Sequence, residues 1–258
     1  MTWTLIAQSF AVLRKDKKLV LFPILSGLGA IAVTVPYFWA LTGAAPWRPS
    51  DAHWAGPVTW LWMFLWYCTC SFVMIFFNCA MAACAQIRFS GGEPAIGDGM
   101  RQAGQRAGSI LLWAVVTSTV GVIIRAIEQR AGWVVRIVAA MSGLAWSLAT
   151  YLIVPVLVLE DRNVMDSIRR SSELFKKTWG EQLVAGLHFM WLMLLFAIPG
   201  IVLGVLVLPA GILYFVLMVA AMTAAREILV VALYRYAVTG EAPAGYSRES
   251  LGGAFRGR

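Results

Sequence analysis

Six stretches of this chain run for about twenty residues or more with almost no charge, and they constrain the fold before any motif is considered. They are Leu19 to Leu41, Pro57 to Ile87, Ala107 to about Ile124, Trp133 to Leu159, Gln182 to Leu208 and Ile212 to about Val238. As helices, all are long enough to cross a bilayer or nearly so, and the second, about 46 Å long if fully helical, must tilt, kink or protrude. With 60% hydrophobic and 13% charged residues, 258 residues supply too little polar surface to cover a soluble globule. The expected fold class is therefore all-α, a polytopic membrane protein with six transmembrane helices and amphipathic helices at one interface. Residues 1–240 form a single six-span domain, and the Gly-, Pro- and Ser-bearing tail from 241 to 258 is expected to be loosely ordered.

Between the spans lie three basic, amphipathic segments, 2–18, 94–106 and 164–181. In the first, Trp3, Ile6, Phe10 and Leu13 recur at helical spacing before Arg14, Lys15, Lys17 and Lys18. In the third, Asn163 is placed to cap a helix whose Val164, Ile168, Phe175 and Trp179 share one face, with Arg169, Arg170, Lys176 and Lys177 on the other. Placing the N-terminus inside puts 17 of 21 Lys and Arg on the inner side, the other four being Arg48, Arg125, Arg130 and Arg136. Both termini are thus expected in the cytoplasm. Each segment enters a two-span hairpin, which allows three repeated units, 1–88, 89–160 and 161–240, although any amphipathic helix entering a membrane presents the same pattern.

The net charge of +8 lies beside apolar spans rather than on a soluble face, so the expected partners are the bilayer and its anionic phospholipid, not nucleic acid. The start has no small-residue cleavage site, and the first span is expected to serve as its own insertion signal. Cys68, Cys70, Cys79 and Cys84 all fall in span two and read as packing residues.

Polar groups inside the spans are few. Arg226 and Glu227 in span six are adjacent, hence about 100° apart on a helix, and each would need its own partner. They can line a pore, form inter-helix ion pairs, or snorkel to the interface. His188 in span five can be a proton acceptor or a packed, hydrogen-bonded residue. Asn78 in span two and Thr117 and Ser118 in span three can line a polar path or bond across helices. Gly200, following Pro199 and forming GxxxG with Gly204, fits either a broken, cavity-lining helix or close helix packing. No phosphate-binding loop, HExxH or GxSxG motif occurs, so neither an enzyme nor a cofactor is expected.

AWSLATYLIVPVLVLE at Ala145 to Glu160, SIRRSSELFKKTWGE at Ser167 to Glu181 and ALYRYAVTGEAPAGY at Ala232 to Tyr246 resemble a bacterial integral-membrane family, domain-of-unknown-function family 6159. Phe22-Pro23 after RKDKKLVL, Asp98-Gly99, and VGVIIRAIEQRAG before span four are similar to it too. The resemblance runs from about residue 5 to about residue 255. It implies a six-span protein of the bacterial inner membrane and supplies no activity. The residues favour an oligomeric channel or transporter for an ion or small solute, with spans five and six along the path. The alternative is a non-catalytic scaffold or regulator whose basic helices bind anionic lipid or a cytoplasmic partner.

Overall fold

The structure, a computed structural model, describes residues 2–41, 57–130, 133–178 and 181–255. The connection carrying Trp47 and Trp54, the helix stop expected at Gly132, and the side chains of Arg125, Arg130, Arg136 and Lys177 lie outside the described residues. No strand occurs among the described residues. The helices are α1 (Thr2–Lys15), α2 (Leu21–Leu41), α3 (Pro57–Phe89), α4 (Ile96–Gln105), α5 (Ala107–Arg130), α6 (Trp133–Ala149), α7 (Ile153–Leu159), α8 (Val164–Thr178), α9 (Glu181–Leu206), α10 (Leu208–Thr239) and α11 (Arg248–Phe255). A 3-10 turn at Lys17–Val20 joins α1 to α2.

Six candidate spans are long and apolar enough to cross a membrane: Lys17–Ala40, Trp60–Phe89, Ala107–Ile124, Ala140–Leu159, His188–Leu206 and Leu208–Thr239. Their outer faces carry Leu28, Ile31, Ile198, Ile201 and Val205, all exposed. Water would not support so much contiguous apolar surface, whereas lipid does.

Burial is concentrated at one end of the bundle. There the run Cys79 to Ala85 of α3 is fully enclosed, and Ala224, Ala225, Ile228 and Leu229 of α10 join it in one core with Leu5 and Leu13 of α1, Ala103 of α4 and Val158 of α7. α3 and α10, at about 50 and 48 Å, each overrun the roughly 30 Å hydrocarbon thickness. The shorter helices wrap the overhanging ends.

Local contacts explain the placement of those short helices. Asp98 accepts the Ala95 backbone N–H at 3.2 Å at the start of α4, and Gly99 brings α4 against the α3 backbone so closely that a Cβ there would clash with the Ala80 carbonyl and the Cys84 sulfur. At the start of α8, Asn163 Oδ1 accepts the Asp166 N–H at 2.8 Å, the cap expected from the sequence.

Two prolines late in apolar runs act differently from each other. Span four, expected as one helix, is carried by α6 and α7 with a turn between. Pro155, in the first turn of α7, has no N–H to give, and its ring excludes a helical carbonyl at Tyr151. The N–H of Leu152, freed at the break, donates to the buried Ser171 hydroxyl of α8 at 3.1 Å. At Pro199, where a break was one expectation, α9 is continuous. The Tyr214 hydroxyl of α10 donates to the Phe196 carbonyl at 2.9 Å in that turn, and α10 begins at Leu208, with Pro209 in its first turn rather than in a separate turn.

The tail also departs from expectation. As far as Leu251 it packs rather than hanging loose. Tyr246 is buried against Phe89, with ring centroids 5.9 Å apart, and shares a 2.7 Å hydrogen bond with Ser9 of α1. Leu251 is wholly buried, and Ser250 donates to Gln8 at 2.9 Å. Burial pushes the ionisation of Tyr246 up, opposed by the Ser9 bond, so its hydroxyl stays protonated through the ordinary tyrosine range.

The α3–α4 contact predicts that Gly99→Ala lowers stability by about 1–3 kcal/mol through overpacking. Gly97→Ala, whose Cβ meets open space, should leave stability unchanged or slightly raised. Thermal unfolding in detergent, followed by tryptophan fluorescence, measures both.

Candidate functional site

The residues singled out in the sequence separate into distinct places. Ser118 is buried and donates to Ser71 of α3 at 3.2 Å, which makes it a polar link between α5 and α3. Thr117, beside it, is half-buried on α5. His188 packs edge-on against Trp3 of α1, centroids 4.9 Å apart, where the first surface helix meets α9. Gly200 is buried, and a Cβ there would lie 2.7 Å from the Tyr214 ring. Gly211 of α10 meets Gly204 backbone to backbone, so these glycines close the α9–α10 hairpin.

Glu227 lies within electrostatic reach of Cys79, the residue after Asn78, and of Tyr151 in the turn between α6 and α7. Arg226, exposed, places its guanidinium 6.0 Å from the centroid of the Tyr151 ring. No salt bridge joins Arg226 to Glu227 among the described residues, as their angular separation on the helix requires.

Next to this acid is a cavity of about 520 Å³ lined by α2, α3 and α10. Its walls are mostly apolar, including Ile24, Leu28, Met74 and Phe215, and its polar side chains are Ser26, Asn78 and Thr223. Thr223 is one helical turn before Glu227, so cavity and carboxylate are neighbours along α10. Of spans five and six, which were expected along a path, span six lines this cavity together with spans one and two, and no described residue of α9 does.

On the basic end, Glu160 is a junction. It accepts from Arg162 at 2.5 Å, Arg170 at 3.3 Å and the Tyr234 hydroxyl at 3.0 Å, tying α7 to α8 and α10. Asp161 pairs with Arg106, and Asp16 with Arg88 at 2.8 Å. Arg170 is thus engaged within the protein. Arg14, Lys15, Lys17, Lys18, Arg169 and Lys176 are exposed and form no salt bridge among the described residues. Ser26 and Thr223 were missed because a lone hydroxyl in an apolar run carries no signal until the helices are phased against one another. Asn78, an amide within 31 uncharged residues, was the one visible marker.

Fold and site together define a polytopic, all-helical protein of the membrane type, with a cavity between its spans. The profile of a family of unknown function (DUF6159) matches residues 58–245, and the chain belongs to that family. No curated protein and no solved structure matches it.

The Glu160 junction predicts that Glu160→Gln costs about 1–3 kcal/mol, because it removes the charge that two guanidiniums and a phenol address. Asp161→Asn, whose carboxylate is 90% exposed, should cost well under 1 kcal/mol. Paired thermal melts of the two variants decide this.

Proposed function

We propose that this chain is a transport protein of the bacterial inner membrane, both termini cytoplasmic, that works as a homo-oligomer and passes a small solute across or into the bilayer. The observation that carries the reading is the cavity among α2, α3 and α10, with Asn78 on its wall and Glu227 one turn beyond. Polar and ionisable groups inside a span are costly, and a side chain kept there opposite open space is suited to meet a passing ligand. The cavity volume falls within the range of small-molecule sites, roughly 300–1,000 Å³. Exposed apolar faces on α6 and α9, including Val138, Met141, Leu194 and Leu195, offer surface for a second copy.

Purified protein in sealed phospholipid vesicles tests this directly. Flux of small ions and of neutral solutes is expected above that of protein-free vesicles, and Glu227→Gln or Asn78→Leu should alter it severalfold while Ser118→Ala leaves it near wild type. Vesicles holding folded protein that pass none of the solutes tested would defeat the reading for those solutes.

A second reading is favoured by the cations of α1, the 3-10 turn and α8 that are exposed and form no salt bridge among the described residues: the basic end binds anionic phospholipid as part of a scaffold or regulator. Each Lys or Arg near an anionic surface contributes about 1 kcal/mol, and salt screens it. Added phosphatidylglycerol should then raise the unfolding temperature in detergent, less so at high salt. Replacing Arg14, Lys17, Arg169 and Lys176 with Gln should abolish most of that rise.

A further inference from the structure

We infer that the α2–α3–α10 cavity binds a neutral, lipid-soluble amphiphile, an apolar body with one carbonyl or hydroxyl head, and admits it sideways from the bilayer. The inference rests on the transport reading and narrows its solute class. Three observations lead to it.

The first is depth. Arg235 donates to Ser90 at 3.0 Å, so these residues mark one level of α10 and α3 at the basic end. Thr223 and Asn78 each lie twelve residues from that level, about 18 Å along their helices. Asp16, paired with Arg88, marks nearly the same level for the start of span one, and Ser26 follows ten residues later, roughly 17 Å away through the 3-10 turn and α2. The three polar side chains therefore converge at one height, well inside the spans.

The second is their lack of partners. Among the described residues no hydrogen bond reaches the side chain of Ser26, Asn78 or Thr223. Elsewhere in the spans such groups are satisfied: Thr34 donates to Ala30 O at 2.7 Å and Ser118 to Ser71. Unpaired polar groups are costly away from water, and Asn78 presents both a donor pair and an acceptor.

The third is the character and position of the opening. Leu28, Ile31, Met74 and Val216 line the cavity and are themselves exposed, so it opens between α2 and α10 on the face that the apolar surface turns to lipid. A lipid acyl chain would match the walls but leave the three polar groups unpaired, and a water cluster would satisfy them but wet the walls. No charged residue among the described residues lines the space, so an ion would be desolvated there without compensation. A molecule with an apolar body and a single uncharged hydrogen-bonding head meets both demands.

The probe is a ten-carbon primary alcohol carrying an alkyl diazirine, photolysed with the full-length protein in phospholipid vesicles and mapped by peptide mass spectrometry. Labelling is expected to concentrate on residues 23–31, 74–78 and 215–223, to be displaced by decanol and not by decane. Thr223→Val and Asn78→Leu should each raise the decanol concentration needed for displacement about fivefold, the worth of one net hydrogen bond. Thr223→Val is nearly isosteric, and an unchanged melting temperature verifies folding in both variants. Labelling absent from the cavity, spread equally over Ile198, Ile201 and Val205 of α9, displaced equally by decane, or unchanged in both variants would overturn the inference. Concentrated, Asn78-dependent labelling in vesicles that pass no solute would sink transport and leave the site standing. Solute flux without such labelling would do the reverse.

Discussion

The close contact of α3 with α10 is the constraint on which the rest of the structure depends. In lipid, apolar side chains gain little by leaving one another's surroundings, so helices associate through packing density and internal hydrogen bonds. The buried run Cys79-Ala-Met-Ala-Ala-Cys-Ala85 consists mostly of small side chains, and Ala224 and Ala225 of α10 share one core with it. Because these two helices outlast the hydrocarbon layer, their ends need a cover that a simple hairpin bundle lacks. α1, α4, α7, α8 and the tail provide it, and with them comes a core resembling that of a soluble domain, with Leu5, Leu19, Leu233 and Leu251 almost wholly buried.

Polar groups then sort by whether that packing leaves them a partner. Around the basic end they are joined across elements: Glu160 to Tyr234 and Arg170, Asp16 to Arg88, Ser9 to Tyr246. Beyond the cavity level Trp66 donates to Thr34 at 3.2 Å, and Ser118 donates to Ser71, linking α3 to α2 and α5 to α3. Ser26, Asn78 and Thr223 stand apart from this pattern, because they face the open volume between α2, α3 and α10.

The spans themselves were legible in the sequence, since a charge-free run of such length has few other fates, and the cap at Asn163 was legible because its geometry is local. What depends on two elements meeting was not. Pro155 and Pro199 look alike in the chain, each late in an apolar run. Ser171, from the following helix, receives the backbone donor that Pro155's break releases, whereas Tyr214 supports the turn at Pro199 without a break. The Gly, Pro and Ser of the tail suggested disorder, yet Tyr246 and Leu251 find their cover in α1, more than two hundred residues away. The candidate site was half visible: Asn78 and Glu227 by their rarity, Ser26 and Thr223 only once three helices had been set in register.

The bundle is consequently unequal along its length, and the inequality bears on how a cavity inside it can be reached. At the basic end α3 and α10 are sealed by Phe22, Val158, Ile228 and the helices around them, so a ligand cannot enter from that end without displacing a packed core. Interiors of that density resist small deformations and open as units. At cavity level the wall between α2 and α10 consists of single side chains, Leu28, Ile31 and Val216, which exchange rotamers on far shorter timescales. A lipid-facing approach is therefore the low-cost route into that volume, and Glu227 lies one turn from it toward the sealed end.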